Sequence, residues 1–245
     1  MKKIIIFISA LLFAYDAKVV PFDEYDVKAA VSGKVIYANK NLEAKTLKNR
    51  TIVKLDDYQE KADINNTITQ IDFLKQEILN QEKTVKRKKE TYLKYKNLKT
   101  KSQIEKDLKF YDYMNSYNQL LNLKQQLSNS ISSLKKLKDI VNKKNIKISG
   151  YLYKIYINKG DYATPGRLIA KVYDVSKQKL YVYVPIDKIE TIKNKKIYIN
   201  NKLSNFKISK IWKISDEQYI TSYKVELTGN GLKFGDIVDV EFKKE

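Results

Sequence analysis

Apolar and polar residues alternate over short stretches at both ends of this chain, whereas in its middle the apolar residues recur every seven positions. From about Lys28 to Leu55 the alternation is short and rich in β-branched residues, the pattern of strands joined by tight turns. The period changes at Asp57. Ile64, Ile71, Ile78, Val85 and Tyr92 follow one another by sevens, with Leu74 and Tyr95 at a second seam position that Gln81 and Lys88 interrupt. Asp57-Tyr58-Gln59-Glu60 has the spacing of a capping box with Asp57 as N-cap, and no Gly or Pro breaks 58–97. A brief Lys-Thr-Lys turn follows. Ser102-Gln103-Ile104-Glu105 then repeats the capping spacing, and a second heptad run begins: Tyr113, Leu120, Leu127, Leu134 and Val141, with Phe110, Tyr117 and Ile131 expected at its other seam. Two helices of roughly 40 residues, roughly 60 Å long at 1.5 Å per residue, joined by so short a turn, run antiparallel. A seven-residue period held this long predicts a left-handed coiled coil. The seam is narrow and the other faces are mostly Lys, Asn, Gln and Glu. Such a hairpin projects into water or packs sideways against copies of itself.

The β-rich stretch is written twice. ISGYLYKIYINKGDYATPGRLIAKVYD at 148–174 aligns without a gap on VSGKVIYANKNLEAKTLKNRTIVKLDD at 31–57. Ser32/Ser149, Gly33/Gly150, Asn41/Asn158, Arg50/Arg167, Ile52/Ile169, Lys54/Lys171 and Asp57/Asp174 are identical, and Val31/Ile148, Val35/Leu152 and Leu55/Val172 are apolar in step. In the second copy Thr164-Pro165-Gly166-Arg167 suits a type II turn and Asn158-Lys159-Gly160-Asp161 is another turn. Asn49 stands where the second copy has Gly166, and Asn is the next most tolerant residue for a left-handed backbone. Neither copy can bury a core alone. Together they predict one small β-sandwich into which the helical hairpin is inserted. From 181 onward the pattern is β again. Tyr181–Val184 ends at Pro185, Ile186–Ile192 predicts a helical turn or two, and strands are expected near 196–199, 206–214, 219–227 and 236–242, as in a small barrel.

Charge and composition narrow the chemistry. Lys and Arg number 48 against 28 Asp and Glu, a formal charge of +20, yet only Arg50, Arg87 and Arg167 are arginines. Readers of bases and phosphates lean on the bidentate Arg fork, so a Lys surplus spread over the whole length argues against nucleic acid as a partner. The surface is nonetheless drawn to anionic headgroups or acidic partners in a salt-dependent way. The chain has neither Cys nor His. This excludes thiol and His-based catalysis, disulfides and the usual zinc sites, so no catalytic or metal-ligating residues are nominated. The paired carboxylates Asp56/Asp57 and Asp216/Glu217 are assigned to caps and turns. MKKIIIFISALLFA sets Lys2 and Lys3 before an apolar run from Ile4 to Ala14, too short to span a bilayer and suited to a signal peptide, here placed over 1–17. Ala14 and Ala17 are the candidate ends. Neither completes an A-x-A pattern, and an uncleaved short anchor is the other reading.

The order half-sandwich, hairpin, half-sandwich, barrel resembles the membrane fusion proteins, the HlyD-like periplasmic adaptors of bacterial efflux and secretion systems. Val31-Ser32-Gly33-Lys34-Val35 resembles the entry to the family's first lipoyl-like half. Ser149-Gly150-Tyr151-Leu152, Asn158-Lys159-Gly160-Asp161 and Gly166-Arg167-Leu168-Ile169 resemble its second half, and Leu232-Lys233-Phe234-Gly235-Asp236-Ile237-Val238 the strand that closes its barrel. The resemblance implies an α+β fold, mostly β plus a long coiled-coil hairpin. It divides the chain into a lipoyl-like domain over 18–57 and 145–180, a hairpin over 58–144 and a β-barrel domain over 181–245. No counterpart of the family's fourth, membrane-proximal domain is expected after the barrel.

The resemblance also implies a non-catalytic periplasmic role without a cofactor. Such adaptors form rings, commonly of six, between an inner-membrane transporter (RND or ABC type) and a TolC-like outer-membrane channel. The family's hairpin tip carries Arg-x3-Leu-x6-Ser. Here Lys94 replaces Arg, Leu98 keeps its spacing, and only three residues separate Leu98 from Ser102, so the tip loop is expected to be shorter. Lys94, Leu98 and Ser102 are therefore the candidate channel-docking set, with capping and coil closure as the plain roles of Ser102 and Leu98. Two other classes compete. A biotin or lipoyl carrier needs a Lys presented at a hairpin tip, often between Met residues, and the only Met residues are Met1 and Met114. A basic coiled-coil nucleic-acid binder is allowed by the Lys surplus and opposed by the Arg shortage and the leader-like N-terminus.

Overall fold

The computed structural model describes residues 14–215 and 218–244. The chain forms β1 (Tyr15–Lys18), β2 (Val20–Lys28), β3 (Gly33–Ala38), β4 (Lys45–Leu55), α1 (Tyr58–Asn97), α2 (Gln103–Lys144), β5 (Asn145–Ile155), β6 (Tyr162–Ala163), β7 (Leu168–Pro185), α3 (Ile189–Ile192), β8 (Lys196–Ile199), β9 (Lys202–Leu203), β10 (Lys207–Ile211), β11 (Ser222–Gly229) and β12 (Ile237–Lys243). One sheet has the order β1-β12-β8-β9. A larger one runs β10-β11-β7-β5-β4-β3-β6, with β2 also laid on β7.

The two copies of the repeat close on each other. β4 pairs antiparallel with β5, Thr46 opposite Tyr151 and Lys54 opposite Asn145, so the strands that enter and leave the hairpin are neighbours. β3 pairs with β6, and Val35 donates its N–H to the Asp161 carbonyl at 2.8 Å. Equivalent apolar positions meet in one core: Val35 with Leu152, Ile52 with Ile169, Leu55 with Val172, all sealed from solvent. The copies also make the same backbone bond, Asn39 N–H to Ile52 C=O at 3.0 Å and Tyr156 N–H to Ile169 C=O at 2.8 Å. The shared glycines have a shared reason. A Cβ on Gly33 would stand 3.1 Å from Leu55 Cβ, and one on Gly150 3.0 Å from Val172 Cγ1, the equivalent neighbour in the other copy. At the turn, Asn49 has φ +46° and Gly166 φ +86°, both left-handed as the alignment requires.

β7 ties this core to a second one. Ile169, Ala170 and Val172 at its start belong to the first; Leu180, Val182 and Val184 at its end join Val19, Ile197, Val225, Leu227, Val238 and Val240 in the other. The boundary drawn at 180 thus falls inside one continuous strand. Residues 1–13 of the expected signal peptide lie outside the described residues. Its last three, Tyr15, Asp16 and Ala17, form β1 against β12, and Ala17 is only 4% exposed. Of the expected tail strands, β8, β10, β11 and β12 are in place, with Asn200 and Asn201 at positive φ between β8 and β9. Asp216 and Glu217 lie outside the described residues.

The hairpin follows its predicted limits, with two corrections. Asp57 does not cap α1 with its side chain. It pairs with Lys61 at 2.9 Å, while Asp56 Oδ1 accepts the Tyr58 N–H at 3.1 Å. Glu60 does not fold back to the cap because Lys144, at the root of α2, takes its carboxylate at 2.5 Å. The second correction concerns register. Tyr113, Leu120, Leu127, Leu134 and Val141 do face α1, but Tyr117 and Ile131 are exposed, and of the expected second seam Phe110 meets α1, through Tyr92. The other seam runs through Ser116, Leu123, Ser130 and Leu137. A small residue lets the helices approach, and Gln81, which interrupts the α1 seam, donates to the Ser116 carbonyl at 2.8 Å. A buried carbonyl and a polar seam side chain thereby satisfy each other. Closer to the tip, rings replace aliphatic side chains: Tyr92 packs on Phe110 at 5.4 Å and on Tyr113 at 6.3 Å.

Candidate functional site: the tip of the helical hairpin

Five residues join the helices. Lys94 lies exposed in the last turn of α1. Leu98 caps that helix, its N–H donating to the Tyr95 carbonyl at 3.1 Å and its backbone turned extended (φ −81°, ψ 122°). Its side chain is 44% exposed, so it does not close the coil as a core residue would. Ser102 caps α2 with a complete capping box. Its hydroxyl accepts the Glu105 N–H at 3.3 Å and contacts Glu105 Oε2 at 3.1 Å, while its own N–H donates to Glu105 Oε2 at 3.0 Å. Two backbone donors at the helix start, those of Ser102 and Glu105, are thereby satisfied.

Two residues outside the expected set complete this cap. Lys101 donates to Glu105 Oε1 at 2.8 Å. That bond, then those from Ser102, hold the Glu105 carboxyl down at about 2, and the same bond raises Lys101 above its ordinary value. Lys101 and Lys109 both sit over the Tyr95 ring, at 5.5 and 5.7 Å from its centre. The tip is thus a short, cross-braced turn in which Ser102 is already occupied and Leu98 and Lys94 face outward. Beside it α2 shows a row that the heptad reading passed over: Ile104 (73% exposed), Leu108 and Tyr111, spaced i, i+4, i+7 off the seam. The spacing was the available signal, hidden by the stronger seven-residue period. Among the described residues no group of three or more Asp or Glu could hold a metal ion, and no helix is long and apolar enough to cross a membrane.

No protein-family model matches the chain, and no curated protein matches it in sequence. Solved structures do match. MacA from Actinobacillus actinomycetemcomitans superposes with a TM-score of 0.74 at 14% identity, over 94% of this chain and 78% of that one. The membrane fusion protein Spr0693 from Streptococcus pneumoniae gives 0.61 at 10% identity, over 95% and 99%. A putative efflux transporter from Bacteroides eggerthii gives 0.60 at 12% identity, over 96% and 69%. Each covers the sheets and the hairpin in one superposition. The resemblance read from the repeat and the heptads therefore holds in three dimensions, and the chain has the fold of the membrane fusion proteins.

Proposed function

We propose that the chain is a non-catalytic periplasmic adaptor, held at the inner membrane, that joins an inner-membrane transporter of RND or ABC type to a TolC-like outer-membrane channel. The observation that carries this reading is the mounting of the hairpin. Both helices leave adjacent strands of one core, with Lys54 opposite Asn145, and most of their length touches nothing but each other. A solvated rod fixed at one end is suited to reaching a distant partner, and its narrow seam leaves flanks free for copies of itself in a ring, with six as the expected number. In this reading the core shared by the two repeat copies is the lipoyl-like unit over 18–57 and 145–180, and the second core is the barrel unit over 181–245, to which β1 adds a strand. Cutting after Ala17 would remove most of β1 and Ala14 completes no A-x-A pattern, so in this reading the N-terminal apolar run is kept as a short anchor.

The tip docks through Leu98 and Lys94, with Ser102 holding the turn in shape. The test is export in cells. Leu98→Asp abolishes it at unchanged protein level, whereas Ser102→Asp, which keeps an N-cap acceptor, retains it. Unchanged export by Leu98→Asp would remove the tip from the mechanism.

A further inference from the structure

A second apolar group stands open where β7 ends. Ile214 and Ile220, in the β10–β11 connection, are 83% and 72% exposed, and Ile186, Trp212 and Tyr219 are each more than a third open. Backbone bonds hold the two ends of that connection. The Ile186 N–H donates to the Thr221 carbonyl at 3.3 Å and the Trp212 N–H to the Lys224 carbonyl at 3.0 Å. Tyr219 stacks on Tyr183 with ring centres 3.9 Å apart, and Trp212 meets Tyr181 edge-on at 6.4 Å. Cations flank the group. Lys224 lies over the Trp212 ring at 5.4 Å, and Lys210 and Lys213 bracket Trp212 in sequence.

Where the chain enters the body says what covers this surface. β1 is antiparallel to β12 and runs on into β2, which is antiparallel to β7 with Val20 opposite Lys179. Tyr15, the first residue of β1, therefore comes alongside the end of β7. Its ring packs against the core that holds Val184 and Ile189, on either side of Ile186. The apolar run Ile4–Ala14 immediately precedes Tyr15. The most apolar segment of the chain is thus joined to the body at the end that carries this exposed loop. Ile, Trp and Tyr side chains rimmed by Lys have the composition of a headgroup-layer contact.

We propose that this end is a lipid-contacting surface, in which Ile186, Trp212, Ile214, Tyr219 and Ile220 enter the headgroup layer of a bilayer and the flanking lysines meet anionic headgroups. Asp216 and Glu217 share the β10–β11 connection, so apolar insertion rather than local charge supplies most of the attraction, with the +20 of the whole chain adding to it. The proposal rests on the chain being membrane-associated and not on docking by the hairpin.

Trp212 is the single tryptophan, so its emission reports this loop alone. The full chain is mixed with phosphatidylcholine–phosphatidylglycerol vesicles with or without brominated acyl chains. The expected result is quenching of Trp212 by the brominated lipid, weaker without phosphatidylglycerol, and a roughly tenfold or greater loss of loop insertion in the Ile214→Asp/Ile220→Asp variant. Vesicle-bound protein with unquenched Trp212, or equal quenching in the double variant, overturns the proposal. A Trp212 response confined to native membranes also overturns it, and assigns the surface to a protein partner. A failed export test at the hairpin tip leaves all these outcomes unchanged.

Discussion

The sheet body and the helical hairpin are stabilised in opposite ways. In the body, Val35, Ile52, Leu55, Leu152, Ile169 and Val172 come from distant parts of the chain and lose essentially all contact with water. In the hairpin, two long helices bury only Ile71, Leu74, Ile78, Ser116, Leu120 and Lys144. The body is specified by packing, the hairpin by its register, its caps and its root. The difference teaches what each part is for. A core so complete fixes the geometry of whatever is mounted on it, whereas a rod so little buried leaves most of its surface open to water.

The contrast predicts unequal costs. Leu152→Ala or Ile169→Ala, each emptying a sealed site, destabilises by about 2–5 kcal/mol in denaturant unfolding, whereas Leu134→Ala on the half-buried seam costs under about 1.5 kcal/mol. Equal losses would mean that the hairpin has a core of its own. Next in size is the root. Lys144→Met strands the Glu60 carboxylate at the hairpin base and costs about 2 kcal/mol, less than for a fully enclosed pair because Glu60 keeps some solvent. Adding Glu60→Leu recovers most of that loss, and failure to recover it would show that Lys144 acts through packing alone.

Within the body, the two turn residues of the repeat separate the copies. Gly166→Ala, at φ +86° in open space, costs about 1 kcal/mol, while Asn49→Gly at the matching position gains a few tenths, by thermal unfolding. The smallest effect lies at the tip. Glu105 has its carboxyl lowered from 4.5 to about 2, so its support of the α2 start is complete above pH 4.5 and is lost as the pH falls toward 2. Carboxyl NMR should find its midpoint near 2, moving up in Lys101→Met. A midpoint that stays put in that variant would show that Ser102 alone holds the charge.

Much of this was legible from spacing. The repeat located the first core because Val35/Leu152, Ile52/Ile169 and Leu55/Val172 occupy equivalent positions in it. Asn49 was readable as left-handed because only the backbone decides there. The heptads located both helices. They misplaced most of one seam because Tyr117 and Ile131 outweigh Ser116 and Ser130 in hydrophobicity, although close approach favours the small residues. The Asp57 box was lost to a contact over 84 residues, Glu60 with Lys144, which no local pattern contains. At the tip, the Ser102 cap was local and therefore legible, while the braces by Lys101 and by Lys109 over Tyr95 depend on how the two helix ends meet. β1 was hidden for a similar reason. Three of its four residues, next to an apolar run, read as the end of a leader until β12 pairs with them.

The closure of the two repeat copies across the inserted hairpin is tested most directly by one cross-link. The chain has no Cys, so Thr46→Cys with Tyr151→Cys supplies the only pair, set opposite each other in the β4–β5 ladder at a separation that a disulfide spans. The bond should form quantitatively within single molecules of folded protein and raise the unfolding midpoint. Free thiols in the folded state, or a bond formed only between molecules, would show that the two segments do not meet.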